Sequence, residues 1–171
     1  DKFNFEQVTY VDDADVVNHD LLGSLMTAEK EMYDDLIISY GDIIFDENIL
    51  YQILNSSEST NLAIDYDWQK KYDDKSDDLL NKVSVVTLEN NIITNIGYYK
   101  NFKTYENLNF GEFIGLMKLS KLSSLHFIKQ YNILKQNHIG KFHDSPSIQF
   151  AIITDMINEL LKNEIKFSST K

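Results

Sequence analysis

Three acidic residues stand where short apolar runs break off, and a fourth lies on a glycine-flanked strand. Asp42 follows Ile37-Ile38-Ser39-Tyr40-Gly41, Asp65 and Asp67 follow Leu62-Ala63-Ile64, and Glu112 lies between Gly111 and Phe113. An apolar run of four to eight residues that stops at a turn signal reads as a buried strand, most often in a parallel sheet. Open α/β sheets bind ligands outside the carboxyl ends of their strands, and a carboxylate there can hold a divalent cation against nucleotide phosphates. The competing reading makes Gly41-Asp42 a polar turn and leaves the other acids capping helices or facing water. The shared position of these residues at strand ends weighs more than any one of them.

Trp68 is the only tryptophan, and it adjoins Asp67, with Tyr66 and Tyr72 near in sequence. Aromatic faces beside a carboxylate attract an ammonium or quaternary ammonium, an effect worth about 0.5–2 kcal/mol. The alternative is a partly buried core residue. His19, His126, His138 and His143 lack metal-ligand spacing. No nucleophile elbow, P-loop or G-x-G-x-x-G fingerprint is present, so covalent catalysis has no candidate. With no cysteine, disulfides, thiolate metal sites and a Cys nucleophile are excluded.

The elements that must position these residues alternate. Gln7 to Val11 reads as a short strand, and Ser24, followed by apolar residues at helical spacing, opens a helix to about Tyr33. The run before Asp42 is the next strand. Ile49, Leu50, Ile53 and Leu54 form the stripe of an amphipathic helix, and Leu62-Ala63-Ile64 forms a further strand. Such alternation predicts crossovers and a parallel or mixed sheet. Residues Tyr72 to Asp78 read as an exposed loop. Lys82 to Leu88 and Ile92 to Tyr98 read as a hairpin around Glu89-Asn90-Asn91. Phe110 to Leu119 is a strand whose Gly111 and Gly115 mark close approach by a ligand or another backbone. Leu122 to Gln136 is helical and Gly140 a stop. Ser145-Pro146-Ser147 opens the last helix, with proline in its favoured place.

The 171 residues, with 43% apolar content, suit one domain with a proper core over residues 1–171. A net charge of -11 argues against a nucleic-acid binder. No segment approaches the roughly 18–20 apolar residues of a membrane span, and no leader is evident. A cytoplasmic location fits these features. The chain starts at Asp1 rather than Met, as a piece of something longer would.

Four segments together resemble a known family: Asn18-His19-Asp20 running into Ser24-Leu25-Met26 and Ala28; Ile38-Ser39-Tyr40-Gly41-Asp42; Ile64-Asp65-Tyr66-Asp67-Trp68; and Gly111-Glu112-Phe113-Ile114-Gly115-Leu116. Their order and spacing are similar to those of the nucleotidyltransferases that activate phosphocholine or 2-aminoethylphosphonate with CTP. Some of those enzymes are fused to a phosphoenolpyruvate mutase domain. Thr154-Asp155-Met156-Ile157 also fits the pattern, so the resemblance spans nearly the whole chain.

The resemblance implies an α/β, Rossmann-like fold of the sugar-nucleotide pyrophosphorylase type, with a mixed, mainly parallel sheet flanked by helices. It implies in-line attack by the acceptor's phosphate oxygen on the α-phosphorus of CTP, with Mg²⁺ bridging the phosphates and pyrophosphate leaving. Asp42 would be a Mg²⁺ ligand, and Asn18 and Ser24 would lie near the nucleotide. Asp65, Asp67 and Trp68 would face the acceptor's amine, and Glu112 would close its pocket. Lys82 matches the lysine of an acidic-Lys-Val pattern, although Asn81 precedes it here. The family's amino-terminal Gly-rich loop and carboxyl-terminal acidic strand have no counterpart, which predicts a fragment or a degenerate copy, nearly inactive alone. A non-catalytic binding module and a glycosyltransferase of similar architecture are the competing functional readings.

Overall fold

The computed structural model of the protein describes residues 8–72, 75–102 and 110–171. Within them the order is α1 (Leu21–Thr27), β1 (Leu36–Ser39), α2 (Glu47–Asn55), β2 (Thr60–Asp65), α3 (Asp77–Leu80), β3 (Ser84–Glu89), β4 (Ile92–Tyr98), β5 (Phe110–Leu119), α4 (Lys121–Asn137), α5 (Ile153–Lys162) and β6 (Phe167–Thr170). The strands make one mixed sheet in the order β1-β5-β2-β6-β4-β3. β3 also pairs with β5, so β5, β2, β6, β4 and β3 close into a five-stranded barrel with β1 outside it.

This corrects the expectation of an open, mainly parallel sheet. Among the described residues only β2 and β6 pair in parallel; every other pairing is antiparallel. The cause is β5. Its ten residues lie between β1 and β2 and run against both, while its first residues, Phe110 to Glu112, also pair with β3. β1 and β2 therefore point the same way. Their carboxyl ends and the amino end of β5 share one rim, which is how Asp42, Asp65 and Glu112 come to the same side of the molecule.

Local chemistry explains most of the elements. Asn90 and Asn91 both take positive φ, at 51° and 64°, which suits the tight turn joining β3 to β4. Gly115 has φ of +86° and interrupts the β5 register, and its carbonyl accepts a hydrogen bond from Tyr40 N at 2.9 Å. A side chain there would meet the Tyr40 ring, so the close approach expected of this glycine is made by the protein itself. The Asp20 carboxylate caps α1 at Leu21 N, which moves the helix start three residues before Ser24. α5 begins at Ile153, later than the Pro146 region. Buried Asp155 accepts from Ile152 N, Ser145 Oγ and Asp144 N, fixing the helix start there.

The main core lies where α1, α4 and α5 cover the sheet, around Leu22, Met117, Phe127, Met156, Ile157 and Phe167. Each such side chain contributes about 1.5–3 kcal/mol when fully buried. A second cluster forms around Trp68, Val83, Val85 and Phe102, and a third around Ile53, Ala63 and Leu116. Two strand expectations are corrected. Val8 to Val11 is exposed and joins no ladder, while Gln7 lies outside the described residues. β1 is a half-exposed edge strand of four residues rather than a buried parallel one. The expected loop after Tyr72 is interrupted by α3, and residues 73–74 lie outside the described set. Among the described residues no helix is long and apolar enough to cross a membrane.

Candidate functional site

Asp65 and Glu112 are Cα partners across the β2–β5 ladder, and Glu112 also faces Val85 of β3. This double pairing fixes Glu112 at the rim. Glu112 Oε1 accepts a hydrogen bond from the Tyr72 hydroxyl at 2.9 Å. Burial pushes the Glu112 carboxyl above its usual range, while Tyr72 and the Lys71 charge pull the other way. Burial, with the Glu112 bond second, pushes the Tyr72 phenol up to about 12. Asp65 is engaged twice: Oδ2 pairs with Lys71 Nζ at 2.5 Å and Oδ1 accepts from Asp67 N at 2.9 Å. The bond to Asp65 raises the Lys71 pKa.

Asp42 lies just beyond β1, exposed in the turn after Tyr40. With Tyr72, Lys75, Lys82 and Glu112 it lines a cleft of ≈ 380 Å³. An adjoining recess of ≈ 460 Å³ is lined by Ile43, Ile44, Asp65, Lys71, Tyr72 and Glu112. Tyr72, Glu112, Ile43 and Ile114 border both, so the two form one groove along the rim. Tyr40 forms part of its wall; burial first, then the charges of Tyr98, Asp42 and Asp20, push its phenol up to about 12.

Three of the expected residues thus meet in one cleft: Asp42, Lys82 and Glu112. Asp65 borders the adjoining recess. Asp67 lines neither; its side chain is 68% exposed and paired with Lys70 at 2.8 Å. That bond holds the Asp67 carboxyl below its usual range. Trp68 is corrected from ligand contact to support. It is 1% exposed, packed edge-on against Tyr72 and Tyr99 with ring centroids 6.0 and 5.1 Å away. Its large apolar ring is drawn into the second core cluster, so it holds Tyr72 from below.

Asn18 and Ser24 lie outside the groove. Asn18 borders a separate cavity of ≈ 490 Å³ with His19, Lys135 and His138. Ser24, inside α1 and not at its start, donates to Asp13 Oδ2 at 2.7 Å.

Lys71, Tyr72, Lys75 and Tyr40 belong to the groove and were not legible as site residues. Their roles depend on strand register and on the turn after β2, which carries no motif. Among the described residues no group of three His, Asp or Glu side chains could hold a metal ion. Asp42 offers one exposed carboxylate, which suits magnesium arriving on a nucleotide. That ion keeps waters and phosphates as its main ligands and takes one or two carboxylates from the protein.

No family model matches the chain. It is 23% identical over 141 residues to the CTP:phosphoglutamine cytidylyltransferase of Campylobacter jejuni, a match covering 82% of this chain and 52% of that protein. The inositol-1-phosphate CTP transferase from T. maritima superposes with a TM-score of 0.56 at 17% identity, covering 88% of this chain and 51% of that one. A candidate glucose-1-phosphate thymidylyltransferase from Bacillus anthracis gives a TM-score of 0.58 at 14% identity, covering 94% and 55% respectively. The chain spans about half the length of each. The proteins it resembles are nucleotidyltransferases, and over that half it shares their mixed α/β fold.

Proposed function

We propose that the rim groove serves cytidylyl transfer from CTP to a small phosphorylated or phosphonylated amine, with release of pyrophosphate. The observation that carries this reading is the meeting of Asp42, Lys82 and Glu112, from three distant segments, in one cleft. The curated relative, named for a CTP-dependent reaction on a phosphorylated amino acid, supports the nucleotide and the acceptor class.

In this reading an acceptor phosphate oxygen bonds to the α-phosphorus of CTP while the bond to the bridging oxygen of the β-phosphate breaks. Lys82 and Lys75 face the negative charge of the phosphates. The chain has no arginine, so these contacts are point charges rather than bidentate forks. Magnesium bound to the triphosphate would neutralise part of its charge, and Asp42 would be its ligand from this chain. Glu112, oriented by the Tyr72 hydroxyl, faces the acceptor's amine. Phosphocholine and 2-aminoethylphosphonate both present an anion at one end and a cation at the other. Positioning and charge compensation are the whole contribution asked of the protein.

Phosphorus NMR of the chain extended at both ends to the length of its relatives, with CTP, magnesium and either acceptor, tests the reading. A CDP-linked product with equimolar pyrophosphate is expected; unchanged CTP with both acceptors contradicts it. A binding module without turnover is the second reading. It predicts a CTP-dependent rise in melting temperature and no product.

A further inference from the structure

Because Asp65 and Glu112 are direct partners across the β2–β5 ladder, their carboxylates leave the same face side by side. Like charges directly opposite one another destabilise a sheet. Such a pair at the edge of an open groove is also, by charge and donor type, a place where a divalent cation could settle. A third group intervenes here. The turn Trp68–Lys71 folds back over the end of β2 and brings Lys71 Nζ to 2.5 Å from Asp65 Oδ2. The same ammonium acts electrostatically on Glu112, whose Oε1 is taken by the Tyr72 hydroxyl. Two ionised carboxylates and one ammonium leave one net negative charge.

We propose that Lys71 is a built-in cation that sets the charge of this end of the groove, excluding a divalent metal ion from the Asp65–Glu112 pair and leaving one net negative charge for a ligand. Lys71 thereby determines specificity without touching the reacting phosphates. It also divides the groove. Asp42, on the far side of Glu112, remains open to a metal-bound nucleotide, and the Asp65 end does not. That the remaining negative charge meets an acceptor's amine rests on the function proposed above; the exclusion of metal does not.

The Lys71 side chain is 63% exposed, so its replacement opens no core cavity and the variants should fold. The test is Mn²⁺ binding, read by electron paramagnetic resonance of the free ion. It uses the wild type, Lys71→Met, Lys71→Arg, Asp65→Asn and the double variant Lys71→Met with Asp65→Asn. Lys71→Met is expected to bind Mn²⁺ about tenfold more tightly than the wild type, because affinity at oxygen sites follows ligand charge. That gain should vanish in the double variant, and Lys71→Arg should behave as the wild type. Unchanged Mn²⁺ affinity in Lys71→Met, or a wild-type Mn²⁺ site abolished by Asp65→Asn, overturns the proposal. The readout needs neither CTP nor turnover, so a failure of the transferase reading would leave this result standing.

Discussion

The Tyr72 hydroxyl donates to Glu112 Oε1 at 2.9 Å, and this bond ties the turn after β2 to the amino end of β5. Tyr72 borders both parts of the groove, and Trp68 supports its ring from the second core cluster. The Tyr72 side of the groove therefore rests on the second core cluster, while Tyr40 and Phe113 tie its other wall to the main core.

Glu112 has its carboxyl pKa raised, chiefly by burial. A carboxyl whose folded pKa exceeds its unfolded value contributes stability below the unfolded value and loses it as pH rises through the folded one. Glu112→Gln removes that dependence. Its melting temperature should equal the wild type's near pH 4 and exceed it near pH 7, a pattern that thermal scans at the two pH values would read. Tyr72→Phe removes a bond that lowers the Glu112 pKa, so it should move the wild-type transition to higher pH.

Trp68→Ala should cost about 3–5 kcal/mol, the range for emptying a buried aromatic site. Denaturant unfolding measures it. A loss under 1 kcal/mol would mean that the ring is not the support described.

Gly115→Ala places a side chain at φ of +86° against the Tyr40 ring. A non-glycine residue held in that region costs on the order of 1–3 kcal/mol. The melting temperature should fall, and Tyr40 should lose its place in the cleft wall.

The sequence made the groove legible in part. Asp42 and Glu112 stand beside turn and glycine signals; a side chain at Gly111 would meet Ile64, while Gly41 lies in the exposed turn that carries Asp42. The hairpin between β3 and β4 was equally plain from Asn90-Asn91. Strand direction was not. Periodicity is the same for parallel and antiparallel neighbours, and the reversed path of β5 between β1 and β2 is set by tertiary packing. Trp68 follows the core reading rather than the role implied by the resemblance, because a tryptophan beside a carboxylate reads alike whether its ring faces a ligand or a core. Lys71 could not be found at all, since its partner pair exists only through the β2–β5 register.

Calorimetric titration of CTP with magnesium into the protein and into its Lys82→Met and Asp42→Asn variants tests the central claim most directly. Loss of a charged hydrogen-bonding partner is worth about 1.5–3 kcal/mol, so each variant should bind CTP about 10- to 100-fold more weakly. Lys70→Met, which alters an exposed pair outside the groove, should bind as the wild type. Equal CTP affinity in all four proteins would contradict the assignment of the groove to the nucleotide.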